Sequence, residues 1–233
     1  MDFSGRHIAI VGTAHGSGAD IARAFIEAGA TVATDAAVEG AKAALPIVYG
    51  KSTDFAAWFD AAEEALGPVD TLVMSAKPVT TAPFMTLPAE AFVSIVQQEL
   101  IWFGLMMQEA AKRMSKRGFG RIVGLCSMSG KTGVHHNVVP YAAAKGGLIA
   151  LSRALAAEVA ASGVTVNMIA NALMEQQVSH HSPERQAELA KGIPVGRFGK
   201  AREAAQAVLY LASQDAGFIT GETLNFSGGR FMD

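Results

Sequence analysis

The chain predicts an α/β fold: one parallel sheet of about seven strands, with helices wound on both faces. Three observations predict it. Short apolar runs that read as buried strands alternate with longer helical segments, with no break that marks a domain boundary. The first of these strands runs straight into a glycine-rich turn and a helix. Half of the 233 residues are hydrophobic and only 17% are charged, enough apolar material for one large core and too little charge for a disordered chain. Residues 1–233 are therefore read as a single doubly wound domain.

Residues 7–11, His-Ile-Ala-Ile-Val, form the first strand. Gly12-Thr-Ala-His15-Gly16-Ser17-Gly18 follows, then a helix from about Ala19 to Ala28 that stops at Gly29. Glycines there let the backbone turn tightly and approach a pyrophosphate. The helix N-terminus adds free N–H groups and a partial positive charge. The second strand, Thr31 to Asp35, ends in a carboxylate that can bind ribose hydroxyls and repel a 2′-phosphate. Ala36-Ala-Val-Glu39 offers no arginine for such a phosphate, so NAD is expected over NADP.

A short helix and a third strand, Pro46–Tyr49, come next. A helix from Asp54, its N-cap, to Leu66 is stopped by Gly67-Pro68. Val69–Ser75 is the fourth strand, and residues 76–83 form a loop at its C-terminal end, where ligands bind in open α/β sheets. Residues 88–115 make one long helix, apolar nearly all round at Leu100–Met107. Such a helix is buried on every side, which suggests a partner subunit as well as the sheet. The fifth strand ends at Ser127, a helix covers Tyr141–Ala161, and Val164–Ala170 is the sixth strand. The long connection 171–200 is a candidate substrate lid. A helix from Arg202 to Ala212 and a last strand near Thr223–Phe226 complete the chain.

Chemistry concentrates between Ser127 and Lys145. Four residues are about one helical turn, so Tyr141 and Lys145 share a face. A phenol has a pKa of about 10, and an ammonium about 4 Å away supplies roughly the 4 kcal/mol needed to bring it near neutrality. Such a tyrosine can exchange a proton with an alcohol or ketone oxygen, and Ser127 can hold that oxygen by a hydrogen bond. Tyr-x-x-x-Lys is a two-residue pattern that also arises by chance, so its meaning depends on what surrounds it.

Composition narrows the partners. The net charge is −2 with no long Lys/Arg run, which argues against nucleic acid. Cys126 is the only cysteine, in keeping with a reducing compartment. No signal-peptide layout or membrane-spanning run stands out, so a cytoplasmic protein is expected. His135-His136 and His180-His181 are adjacent pairs whose side chains point apart, with no ligand-spaced carboxylate or cysteine near them; no metal is expected. Ser127 does not lie in Gly-x-Ser-x-Gly, which argues against a serine hydrolase.

Taken in order, Val11–Gly18, Ser127, Tyr141-Ala-Ala-Ala-Lys145, Val166-Asn167, Arg197-Phe-Gly199, Thr220-Gly-Glu-Thr-Leu and Gly228-Gly229 resemble the short-chain dehydrogenase/reductase family along essentially the whole chain. The resemblance implies a Rossmann-type fold and hydride transfer between a nicotinamide cofactor and an alcohol or ketone. The substrate expected is a secondary alcohol or carbonyl of hydrophobic character. It implies Ser127, Tyr141 and Lys145 as catalytic residues. It implies Gly12, His15, Gly16, Ser17, Gly18, Asp35, Ser75, Ala76, Tyr141 and Lys145 as the cofactor site, in a homodimer or homotetramer. The chain is a divergent member by this reading. Met74-Ser-Ala-Lys77 replaces Asn-Asn-Ala-Gly, and Glu99 replaces the helix asparagine that supports the lysine. Lys51 replaces an aspartate near the adenine, Asn171-Ala172 replaces Pro-Gly, and Gln176 replaces a threonine. Asp35 also falls one residue before the usual acidic position. These departures motivate a second expectation, a non-catalytic subunit that supports an active homologue in a mixed oligomer.

Overall fold

Alternation in the strands decides which residues face which layer. In β1 (His7–Val11), Ile8 and Ile10 turn to one face of the sheet and Ala9 and Val11 to the other; all four are buried. A strand buried on both faces reads as a continuous apolar run, as parallel strands covered by helices do. The computed structural model describes residues 1–50, 53–75, 79, 81–133 and 135–233. Among these, seven parallel strands run in the order β3-β2-β1-β4-β5-β6-β7. The further strands are β2 (Thr31–Thr34), β3 (Ala43–Ala44), β4 (Thr71–Met74), β5 (Gly120–Ser127), β6 (Val164–Asn171) and β7 (Thr223–Phe226). Strand order reverses between β1 and β4, which opens a crevice at their C-terminal ends.

One face carries α1 (Gly18–Glu27) and α8 (Ala201–Ala212), packing Ile21, Phe25, Val208 and Leu209 onto Ile8, Ile10, Val73 and Val123. The other carries α2 (Phe55–Leu66), α4 (Trp102–Arg117) and α6 (Val139–Val159), which bury Phe59, Met107 and Leu148 against Leu72, Ile122 and Val166. Asp54 caps α2 by accepting from the Ala57 amide at 2.9 Å, and Gly67 ends it at φ 92°, a conformation only glycine adopts freely.

The structure corrects two expectations. No helix follows β2. Residues 36–42 turn instead, and the third strand is Ala43–Ala44 rather than Pro46–Tyr49. The Leu45 amide still donates to the Thr34 carbonyl, but Pro46 has no N–H with which to continue the ladder. The long helix is also interrupted. Helix α3 (Ala89–Val96) passes into α4 through one π turn, Gln97–Ile101. A π turn takes up one extra residue and is common where a helix must aim a side chain into a site. This one aims Glu99 inward. Within the single chain, Ile101 and Leu105 of the same helical stretch remain 42% and 44% exposed.

Candidate active site

The glycine-rich loop closes on itself before it meets anything else. Gly12 has φ 82°, and a Cβ there would lie 2.0 Å from the Ser75 carbonyl oxygen. The loop therefore needs glycine to pass over the end of β4, where the Ser75 amide donates to the Val11 carbonyl. Asp35, placed by the sequence at a ribose, turns to the loop instead. Its carboxylate accepts from the Gly12 and Thr13 amides at 2.8 and 2.9 Å and from the Thr13 hydroxyl at 2.6 Å. His15 and Gly16 are exposed at the tip, and Ser17 caps α1 with no side-chain hydrogen bond to its first turn. The Ser17 hydroxyl instead accepts from Gln176 Nε2 at 2.9 Å, which ties α7 (Glu175–Val178) to the loop. Ala76, Lys77 and Lys51 lie outside the described residues.

Ser127 ends β5 and caps the short helix α5 (Met128–Thr132), its hydroxyl oxygen accepting from the Ser129 amide at 3.1 Å. That leaves the Ser127 proton free to donate elsewhere. Helix α5 packs directly on α6: a Cβ on Gly130 would fall 2.7 Å from the Lys145 backbone carbonyl carbon. This contact brings the Ser127 hydroxyl near the Tyr141 phenol, which it lowers in pKa. Tyr141 sits in the first turn of α6 and is buried; Lys145, one turn on, is fully buried.

Lys145 does not point at the phenol alone. Its Nζ lies 2.8 Å from Glu99 Oε2, 4.5 Å from the Phe103 ring centroid and 5.6 Å from the Tyr141 ring centroid. The approach to Glu99 falls outside hydrogen-bonding angles, so this is an ion pair in which neither Nζ nor Oε2 makes a hydrogen bond among the described residues. Burial pulls the Lys145 ammonium down, but the charges of Glu99, Tyr141 and Cys126 outweigh it and hold it above its ordinary value. Lys145 acts on Tyr141 in the expected direction, but it does not carry the phenol toward neutrality. Burial pushes the phenol above its ordinary value; Lys145 opposes this, Glu99 adds to it, and the Ser127 contact offsets it in part. The cation beside the phenol is shared with Glu99. The Cys126 thiol, beneath the same helix, is likewise raised, by burial first.

Two cavities meet here. One of about 250 Å³ runs from Gly12, His15, Asp35 and Ser75 to Phe103 and Glu99. The second, about 280 Å³, is lined by Val79, Leu87, Ile95 and Val138 beside Tyr141 and Glu99. Glu99 thus belongs to both. The sequence marked it as a departure but gave no sign of its partner. Two buried polar atoms, Ser75 Oγ at the end of β4 and Asn171 Oδ1 at the end of β6, lack a hydrogen-bond partner among the described residues. Of the histidine pairs, His135 Nδ1 meets the Ser129 hydroxyl at 3.2 Å, and the His180 and His181 rings lie 4.0 Å apart. Among the described residues, no three of His, Cys, Asp or Glu converge as a metal site, and no helix is long and apolar enough to cross a membrane.

Known proteins resemble the chain along its length. The family model described as Enoyl-(Acyl carrier protein) reductase matches residues 11–230. The chain is 32% identical over 244 residues to 3-oxoacyl-(acyl-carrier-protein) reductase of Vibrio harveyi, covering 100% of both. It is 36% identical over 235 residues to acetoacetyl-CoA reductase of Rhizobium meliloti (strain 1021), covering 96% of this chain and 97% of that one. A solved structure described as a dehalogenation enzyme superposes with a TM-score of 0.88 at 27% identity, over 99% of this chain and 100% of the other. With sheet order, glycine loop and the Ser127–Tyr141–Lys145 cluster all in place, the chain belongs to the short-chain dehydrogenase/reductase family of oxidoreductases.

Proposed function

We propose that the protein interconverts a ketone and a secondary alcohol of hydrophobic character, with Tyr141 as proton carrier and a nicotinamide dinucleotide as redox partner. The observation that carries this reading is the meeting of Ser127, Tyr141 and Lys145 beside an apolar cavity at the C-terminal edge of the sheet. The printed names of two relatives, reductases of 3-oxoacyl and acetoacetyl groups, favour a ketone. Ser127 Oγ donates a hydrogen bond to the substrate oxygen, and Tyr141 Oη exchanges a proton with it.

The residues present fit the dinucleotide. Ser75 Oγ and Asn171 Oδ1 are buried polar atoms in want of partners, and the first turn of α1 has no side-chain cap, as suits a phosphate. When bound, the dinucleotide supplies or accepts the hydride. Gly12, His15, Gly16, Ser17 and Gly18 would hold its phosphates, with Ser75, Ala76, Tyr141 and Lys145 toward the nicotinamide ribose. The reading favours NAD on charge alone. Asp35 spends its hydrogen bonds on the loop, yet its negative charge stays near any 2′-phosphate, and residues 36–39 supply no cation. Residues 171–200 act as the lid of a single domain, held to the loop through Gln176. The exposed apolar residues Val93, Ile101 and Leu105 favour a homodimer or homotetramer through α3 and α4.

Titration with NADH and NADPH, followed by nicotinamide fluorescence, tests cofactor use. Binding of neither at millimolar concentration would turn the reading toward a non-catalytic subunit. Tyr141→Phe should cost at least about a hundredfold in turnover of an apolar ketone. A loss below tenfold would refute the role of Tyr141.

A further inference from the structure

Glu99 is a buried charged group at the Tyr141–Lys145 cluster that the proton transfer above does not use. The π turn places it there. Gln97–Ile101 takes an extra residue into the helix and faces Glu99 to the interior, where its side chain is 11% exposed. Its carboxylate meets the Lys145 ammonium at 2.8 Å, while Nζ stays 5.6 Å from the centre of the Tyr141 ring and makes no hydrogen bond to the phenol.

We propose that Glu99 is a positioning residue that claims the Lys145 ammonium and so keeps Tyr141 in the protonated form that delivers a proton in carbonyl reduction. The proposal rests on the ketone–alcohol reading given above and adds the resting form of the phenol. In that step the carbonyl carbon gains a hydride from a reduced nicotinamide dinucleotide, which is thereby oxidised. The C=O π bond opens, the oxygen takes the proton of Tyr141 Oη, and the phenolate recovers a proton from solvent. A phenol kept protonated suits this direction. The reverse, oxidation of an alcohol, needs the phenolate, which a lysine shared with Glu99 stabilises poorly.

The groups that act on Tyr141 are few. Lys145 lies on its own helix, Glu99 on the π turn, and Ser127 and Cys126 on β5. Lys131 of α5 reaches Cys126 but is paired with Asp233 at 2.7 Å. Among these, Glu99 is the only carboxylate. Its removal leaves the Lys145 charge balanced by nothing except the phenol, which favours the phenolate.

The test reads the phenol directly, on protein without added dinucleotide. Phenolate ultraviolet absorbance is titrated for the parent, Glu99→Gln and Glu99→Asp, each with and without Tyr141→Phe, so that the difference isolates Tyr141 from Tyr49 and Tyr210. The midpoint should move to lower pH in Glu99→Gln and by less in Glu99→Asp, whose shorter side chain draws the carboxylate back. A midpoint unmoved in both variants, or moved upward, overturns the role of Glu99. Should Glu99→Gln fail to fold, the direction of the shift in Glu99→Asp decides. The ketone–alcohol reading fails separately, on the turnover of Tyr141→Phe.

Discussion

Removing one partner of the Lys145–Glu99 pair should cost far more than removing both. The two side chains are 0% and 11% exposed and 2.8 Å apart, so at an effective dielectric of 20 their attraction is about 6 kcal/mol. Desolvation of both groups offsets much of this in the intact pair, but a lone buried carboxylate keeps its desolvation cost and loses its compensation. Lys145→Met keeps the aliphatic stem against Phe103 and deletes only the charge. It should destabilise the fold by about 3–5 kcal/mol. With an m-value of about 3 kcal/mol per molar, the urea midpoint drops by roughly 1–1.7 M. Unfolding can be followed through Trp58 and Trp102, both packed in the core on this side of the sheet. Adding Glu99→Gln should recover at least half of the loss, because no buried charge then remains. A single-variant cost under about 1 kcal/mol, or a double variant as unstable as the sum of the two singles, would refute the pairing.

The same cluster predicts an alkaline limit to stability. Cys126, Tyr141 and Lys145 are all held above their ordinary values of 9.0, 10.0 and 10.5, so the folded state binds more protons than the unfolded one as pH rises through that range. Stability is then full below about pH 9 and falls above it, and a melting temperature flat between about pH 8 and about pH 11 would contradict this. Gly12→Ala should cost more than about 2 kcal/mol and abolish dinucleotide binding, since the new Cβ meets the Ser75 carbonyl oxygen at 2.0 Å. Gly5→Ala, with a similar φ of 76° and open space around it, should cost only about 1–2 kcal/mol; equal denaturation midpoints for the two would remove the steric argument. Gln176→Ala cuts the tie to Ser17, worth about 1 kcal/mol, so hydrogen exchange across 174–181 should quicken about fivefold, and unchanged protection would mean that the tie holds nothing.

Much of the fold was legible because its signals are local. The run into Gly12, the Asp54 cap, the Gly67 stop and the four-residue spacing of Tyr141 and Lys145 each follow from neighbours in the chain. What escaped depends on partners far away in sequence. Ala43–Ala44 pairs with β2 because β2 has an open edge there, and Pro46 alone hinted that residues 46–49 would not. A π turn has no compositional mark, so Gln97–Ile101 reads as ordinary helix. The carboxylate of Asp35 stands where a ribose ligand was expected, yet it is bent to the Gly12 and Thr13 amides, which only the three-dimensional loop reveals. Glu99 was visible as an unusual residue, but its hold on Lys145, and its addition to the burial that raises Tyr141, needed both helices in place.

One wall shared by two rooms has a thermodynamic consequence. Glu99 borders both the compartment that begins at the glycine loop and the one that holds Tyr141. Any guest that changes the charge or tilt of that carboxylate from one side alters the welcome offered on the other. By linkage the influence must be mutual, equal in both directions as a factor in affinity. Two molecules would thus sense each other through a single carboxylate as well as where they meet.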